Sequence, residues 1–325
     1  MNELPVIATV TLNPAIDRTL SIPHFAIGRV NCITQEQNHP AGKGVNVAVM
    51  LADLGAPVIV TGFLGEQNAQ SFEALFREKQ IDDRFIRIPG VTRVGIKIVD
   101  EISGQTTDIN FPGLVVSSSA FDSLSRCIST IALPDRWFVL SGSVPGGLPA
   151  DVYAELINTI HAAGGKVLVD TSGLPLAAAL GAKPEIAKPN VAELSELTGR
   201  SLSNMAEVIE AAKALLIEKG VRLAVVSMGE EGSIFANSEE ALLAVPPKVT
   251  VRSTVGAGDA MVAGIVLGEA RGMSLEATAI LASSLGTYEV TRIGSGLESP
   301  DAFRPFGPRI HNITRGLGRL SDQST

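Results

Sequence analysis

The residues best suited to chemistry sit in short glycine-rich turns. Thr254-Val255-Gly256-Ala257-Gly258-Asp259 joins three residues without bulk to a carboxylate. At the start of a helix such a turn has unpaired N–H groups, and the macrodipole adds partial positive charge. Together these make a pocket for an anion. A carboxylate beside that pocket can take the proton of a nucleophile attacking the anion. The same residues also suit a plain helix start, with Asp259 set against the dipole. A second turn, Ala41-Gly42-Lys43-Gly44-Val45-Asn46, carries a lysine and an asparagine into a helix. A tight turn without function would read alike. In Lys188-Pro189-Asn190-Val191-Ala192-Glu193, Asn190 and Glu193 are three apart and share a helical face. Their oxygens can meet the water shell of Mg²⁺, or cap a helix as a reciprocal pair. Two more loops follow apolar runs: Ser141-Gly142-Ser143-Val144-Pro145-Gly146-Gly147 and Ser227-Met228-Gly229-Glu230-Glu231-Gly232. Strand ends of this kind are where open α/β sheets bind ligands.

Several familiar motifs are missing from the sequence. No Ser or Thr follows Lys43, so the lysine turn is not a Walker A loop. No Gly-x-Gly-x-x-Gly follows the first apolar run, so the dinucleotide fingerprint fails. Cys32 and Cys127 are the only cysteines, and no HExxH or Cys/His cluster points to zinc.

These turns need elements to hold them in place. Residues 6–11, 58–61, 138–141, 167–170, 185–188, 223–227 and 232–236 read as short apolar strands. Helical periodicity falls at about 44–54, 68–79, 150–162, 174–180, 191–198, 204–218, 257–271 and 274–288. Alternating strands and helices predict a mainly parallel sheet with helices on both faces. One stretch breaks the pattern: 85–88, 94–99 and 106–111 read as strands with no helix between them, which predicts antiparallel pairing. Residues 17–37 also alternate without helical period. The two stretches are expected to meet in one small sheet, a lid inserted in two pieces at about 14–40 and 88–113 of a single domain spanning 1–325. A small projecting sheet cannot bury both faces alone, so a homodimer through the lid is expected. The tail from Arg304 reads as a solvated last helix and a frayed end.

The formal charge of −8 argues against a general nucleic-acid binder. No secretory leader or membrane span is legible, and so few cysteines fit a reducing cytoplasm.

Taken together, Gly42-Lys43-Gly44-Val45-Asn46, Lys188-Pro189-Asn190 to Glu193, Ser227 to Gly232 and Thr254 to Asp259 resemble the ribokinase-like (PfkB) carbohydrate kinases over about residues 7–296. The resemblance implies an α/β fold, a ribokinase-like three-layer αβα sandwich with a mainly parallel central sheet and a small β-sheet lid. Thr11-Leu12-Asn13-Pro14-Ala15-Ile16-Asp17, Thr92-Arg93, Thr107-Asp108-Ile109-Asn110-Phe111-Pro112-Gly113, Ser141 to Pro145 and Ser253 to Gly256 look like the hexose-phosphate branch of that family. Gly95 departs from the asparagine often found two residues after the arginine.

The implied activity is ATP-dependent phosphorylation of a ketohexose phosphate, with fructose 1-phosphate the first candidate and fructose 6-phosphate or tagatose 6-phosphate next. A nucleoside or unphosphorylated-sugar kinase and a non-catalytic sugar-phosphate sensor are remoter readings. Under the resemblance, Asp259 is the base, and Gly256, Ala257 and Gly258 form the anion hole for the transferred phosphoryl group. Asp17, Gly42 and Asn46 hold sugar hydroxyls, with Ser143 also at the substrate. Arg93 and Lys43, with Arg29 from a neighbouring subunit, meet the phosphate already on the substrate. Lys188, Asn190 and Glu193 face the nucleotide phosphates and the Mg²⁺ water shell; Ser227, Gly229 and Gly232 line the nucleotide. A K⁺ ion would sit at Ser253, Val255 and the 292–295 loop.

Overall fold

The structure is a computed structural model that describes residues 4–292 and 294–314. Fifteen strands and nine α-helices are assigned among them. The strands are β1 (Ile7–Thr11), β2 (Ala15–Ser21), β3 (Gln35–Ala41), β4 (Val58–Gly65), β5 (Asp82–Asp83), β6 (Ile86–Ile88), β7 (Val94–Asp100), β8 (Gln105–Asn110), β9 (Trp137–Ser141), β10 (Lys166–Asp170), β11 (Ile186–Ala187), β12 (Leu223–Ser227), β13 (Ser233–Ala236), β14 (Ala241–Val245) and β15 (Arg309–Asn312). The helices are α1 (Lys43–Asp53), α2 (Gln70–Glu78), α3 (Ser118–Ile131), α4 (Val152–Ala162), α5 (Gly173–Gly181), α6 (Val191–Thr198), α7 (Met205–Ile217), α8 (Ala257–Ala270) and α9 (Leu275–Glu289).

One sheet has eleven strands in the order β15-β14-β13-β12-β11-β10-β9-β1-β4-β5, with β6 also on β4. From β12 through β5 every pairing is parallel; β12 to β15 pair antiparallel. Successive strand residues point to opposite faces. Ala8, Val10, Phe138 and Leu140 pack with Leu124, Tyr153, Leu156 and Leu194 on the α3–α7 side. Ile7, Trp137 and Val139 pack with Val45, Phe72, Val262 and Ala282 on the α1, α2, α8 and α9 side. The central strands are therefore buried on both faces, which explains why they read as continuous apolar runs. Helices α8 and α9 pack with their backbones in close approach. A Cβ added at Gly264 would lie 2.5 Å from Ala282 Cα. No described helix is long and apolar enough to cross a membrane.

A second sheet of four strands has the order β3-β2-β7-β8. It is mixed rather than antiparallel. β2 pairs parallel with β7, and only the two outer pairs are antiparallel. The expected strand near 85–88 is not part of it. As β6 it pairs parallel with the end of β4, through Phe63 and Ile86, and so belongs to the large sheet. The tail also departs from expectation: residues 309–312 form the edge strand β15 on β14, not a helix. Ile310 packs against the core there, supplying apolar cover that a solvated helix would not need. Arg315 and Arg319 lie outside the described residues.

Helix α3 and strand β14 escape the sequence reading. Ala120, Leu124, Ile128 and Ile131 make one buried stripe on α3. Its other positions are largely serine, threonine and charged residues, which dilute the helical signal.

Candidate active site

The parallel strands deliver their carboxyl ends to one edge of the large sheet. Asn13 follows β1, Ser141 to Ser143 end β9, Asp170 ends β10, Lys188 follows β11 and Ser227 ends β12. Helices α1 and α8 begin at the same edge, since each follows a glycine turn. Gly256 is the N-cap of α8 with φ 84°, and Gly42 is the N-cap of α1 with φ 128°. Both values lie where only glycine is at ease. A side chain at Gly44 would also collide with Thr11 Oγ1. These glycines let α1 start hard against β1.

That start brings Asn46 to Asp259. Asn46 Nδ2 donates to Asp259 Oδ2 at 2.7 Å. Asp259 is 7% exposed in the first turn of α8, the same turn that carries the N–H groups of Ala257 and Gly258. Burial pushes its carboxyl up to about 6, and the like charge of Asp170 adds to this. Lys43, the Asn46 hydrogen bond and Lys188 pull the other way.

Asp170 is the residue that the sequence reading missed. Lys43 Nζ donates to its Oδ2 at 3.2 Å, and Lys188 Nζ lies 3.3 Å from its Oδ1. Burial drives its carboxyl up, but the two lysines outweigh burial and hold it below the usual carboxylate range. The signal was present in the sequence: an aspartate ends a strand that is otherwise buried and apolar. Lys43 is in turn held charged. Burial opposes its charge, but Asp170, Asp259 and Glu193 together outweigh burial. Lys188 also approaches the anion hole, 3.5 Å from where a Cβ on Gly258 would stand.

Asn190 and Glu193 form a reciprocal cap on α6. Glu193 N donates to Asn190 Oδ1 and Asn190 N to Glu193 Oε2, both at 2.9 Å. Glu193 Oε1 takes no part in this pair, so the capping geometry leaves one carboxylate oxygen for another partner. Among the described residues no group of three or more His, Cys, Asp and Glu could hold a metal by itself. A divalent ion that keeps most of its waters fits such a donor set. The loop 228–232 lies alongside: Ser227 N donates to Pro189 O, and Gly229 and Gly232 both have positive φ.

Ser253 and Val255 precede the anion hole. Arg252 N and Ser253 N both donate to Val290 O, which ties this segment to the end of α9. Glu289 is a second residue that sequence reasoning missed. It is 1% exposed, and its Oε1 would lie 2.9 Å from a Cβ on Gly256. Burial, with Asp259 and Asp53 assisting and Arg292 opposing, pushes its carboxyl up to about 8. No signal in the segment around Glu289 separates it from a helix-end residue.

The small sheet borders the same edge. Asn13 Nδ2 donates to Ser143 Oγ at 3.1 Å, and Arg93 Nη2 donates to Asn13 O at 3.3 Å. Arg93 is half-buried; burial lowers its pKa and the Asp17 carboxylate opposes that. Asp17 is in an ion pair with Lys97. Arg29 lies elsewhere, in the exposed connection after β2, at the end of the small sheet remote from Gly42. Seven residues of strand span about 23 Å, so the connection that carries Arg29 leaves the sheet at the end far from Gly42.

A helix start free of side-chain bulk, a buried carboxylate of raised pKa and two lysines held by a second acid define a kinase-type phosphoryl-transfer site. The chain belongs to the pfkB family of carbohydrate kinases, whose sequence model matches residues 1–302. It is 42% identical over 296 residues to the 1-phosphofructokinase of Rhodobacter capsulatus, covering 91% of this chain and 93% of the relative. It is 45% identical over 261 residues to that of Xanthomonas campestris, covering 79% and 82%. Among solved structures, the phosphofructokinase-2 of Escherichia coli in complex with potassium matches with a TM-score of 0.87 at 29% identity, over 93% of this chain and 97% of that one.

Proposed function

We propose that this carbohydrate kinase transfers the γ-phosphoryl group of ATP to fructose 1-phosphate, giving fructose 1,6-bisphosphate and ADP. The observation that carries the chemistry is Asp259, a buried carboxylate of raised pKa in the first turn of α8, oriented by Asn46. The sugar choice is supported by the 1-phosphofructokinase relatives at 42–45% identity.

In this reading Asp259 takes the proton of the attacking sugar hydroxyl. A bond forms from that oxygen to the γ-phosphorus, and the bond to the β-phosphate oxygen breaks. The N–H groups of Gly256, Ala257 and Gly258 meet the charge that grows on the transferred group. Lys43, charged and 3.2 Å from Asp170, serves that same group better than the phosphate already on the sugar. Lys188 faces the nucleotide phosphates. Mg²⁺, held through water by Asn190 and Glu193, would neutralise β- and γ-oxygens. Ser227, Gly229 and Gly232 line the nucleotide. Asp17, Gly42, Asn46 and Ser143 position the sugar, and Arg93 meets its phosphate.

The small sheet acts as a lid in two insertions of one domain. Beside its buried cluster of Leu20, Ile22 and Ile98, the sheet leaves Ile109 45% exposed, and that part pairs with a second copy of the chain in a cytoplasmic homodimer. Arg29 would reach the partner's site from there. K⁺ would sit by Ser253 and Val255; the E. coli phosphofructokinase-2 structure with potassium supports that reading. A second reading is phosphorylation of fructose 6-phosphate, favoured by the match to the E. coli phosphofructokinase-2 complex with that sugar, at TM-score 0.86. Comparing kcat/KM on fructose 1-phosphate, fructose 6-phosphate and tagatose 6-phosphate decides. The proposal requires fructose 1-phosphate to lead.

A further inference from the structure

We infer that Lys97 is the second cation of the subsite for the phosphate already on the substrate, positioned for that task by Asp17. The inference rests on the hexose-phosphate kinase reading above. A phosphate dianion is held best by several charge-assisted bonds. The cations that the sequence nominates are, in the structure, largely committed elsewhere. Lys43 faces Asp170 and Asp259, and Arg29 lies at the remote end of the small sheet. Arg93 alone borders the sugar side, with its guanidinium on Asn13 O.

The register of the small sheet supplies the missing charge. Asp17 pairs with Gly95 and Gly95 with Asn110, so these three form one row across β2, β7 and β8. Thr19, Lys97 and Asp108 form the next row. A period of two puts both rows on one face. The opposite face carries Ile96, Ile98 and Leu20 and is apolar. Gly95 leaves a notch in the polar face. A Cβ there would stand 3.0 Å from Asp17 Oδ1 and 3.5 Å from Asn110 Oδ1. The notch is bordered by a carboxylate and an amide, with the Lys97 ammonium held against Asp17. Just past Asn110, Gly113 lies against the Asn13 side chain, which joins this end of the face to Arg93 and Ser143. An ammonium has three donors, and Asp17 needs one of them, so Lys97 can hold the carboxylate and a phosphate together. Thus Asp17 and Asn110 present oxygen and amide to the sugar while Lys97 and Arg93 flank its phosphate.

The test is steady-state kinetics of K97M and K97R on fructose 1-phosphate, ATP and unphosphorylated fructose. K97M is expected to raise KM for fructose 1-phosphate about ten- to hundredfold, with kcat and the KM for ATP within about threefold of wild type. K97R is expected to recover most of that loss, and in K97M activity on unphosphorylated fructose is expected to fall by a clearly smaller factor than activity on fructose 1-phosphate. K97Q gives the same reading if K97M does not fold, judged by its thermal midpoint. Equal losses on fructose and fructose 1-phosphate would make Lys97 a staple of the sheet and overturn the assignment. An unchanged KM for fructose 1-phosphate beside an active wild type would overturn it alone. A wild type that turns over no hexose phosphate would overturn the kinase reading first.

Discussion

Asn46 and Asp259 are 213 residues apart, yet the Asn46 amide donates to the Asp259 carboxylate at 2.7 Å. The bond joins the first turn of α1 to the first turn of α8 and aims the carboxylate at the mouth of the anion hole. It also stabilises the ionised form in a place where burial opposes ionisation.

Replacing Asp259 with Asn separates catalysis from folding. Turnover should fall by at least about 10²–10⁴ while nucleotide binding persists. Stability should move the other way. The folded-state value of about 6 stands above the ordinary 3.8, so the folded chain holds this proton more tightly than the unfolded chain. Stability therefore falls as pH rises between these values, and the loss is complete above the higher one. At pH 8 the Asn variant should be more stable by roughly 1–3 kcal/mol, read by denaturant titration. Near-normal turnover would remove Asp259 from the mechanism.

The acid limb of kcat/KM should report the same group, rising with pH through about 6. Asp170 is one cause of that position, after burial. Asp170→Asn removes the like charge and leaves Lys43 and Lys188 without their shared acid. The limb should then shift to lower pH. Because a buried ion pair loses one partner, the chain should also lose about 3–5 kcal/mol of stability. An acid limb that stays in place would show that Asp170 does not sense Asp259.

Arg93→Ala should raise KM for the sugar phosphate by about tenfold or more and leave KM for ATP nearly unchanged. Arg93 is half-buried beside Asn13 and does not touch the Lys188 side of the site. Equal effects on both substrates would make it a structural residue of the small sheet.

Ile109→Lys tests the dimer. The residue is 45% exposed on β8, so the chain should still fold. Sedimentation should show a dimer for wild type, and association about tenfold weaker or more for the variant, since a lysine buried without a partner is costly. A wild type that stays monomeric at all concentrations would sink the lid-sheet interface.

Much of the molecule was legible because its signals are local. Glycine turns before helices, β-branched runs and the capping spacing of Asn190 and Glu193 depend on neighbours in sequence. What stayed hidden depends on distant neighbours. Residues 86–88 look like the strands that follow them, but only the end of β4 decides that they join the large sheet. Residues 309–312 look solvated until the edge of β14 offers them a ladder.

The sequence alone determined most of the strands and helices, the turns that precede the site helices and the type of acid at its centre. The tertiary structure alone decided which charges meet. Lys43 faces Asp170 because β10 ends and α1 begins at one edge of a parallel sheet, and Lys97 faces Asp17 because β2 and β7 pair in one register. Glu289 stands behind Gly256 because α9 packs on α8 with no side chain at Gly264 to hold them apart. Burial and proximity set the charge states of these groups, and both are properties of the packed chain rather than of any segment of it.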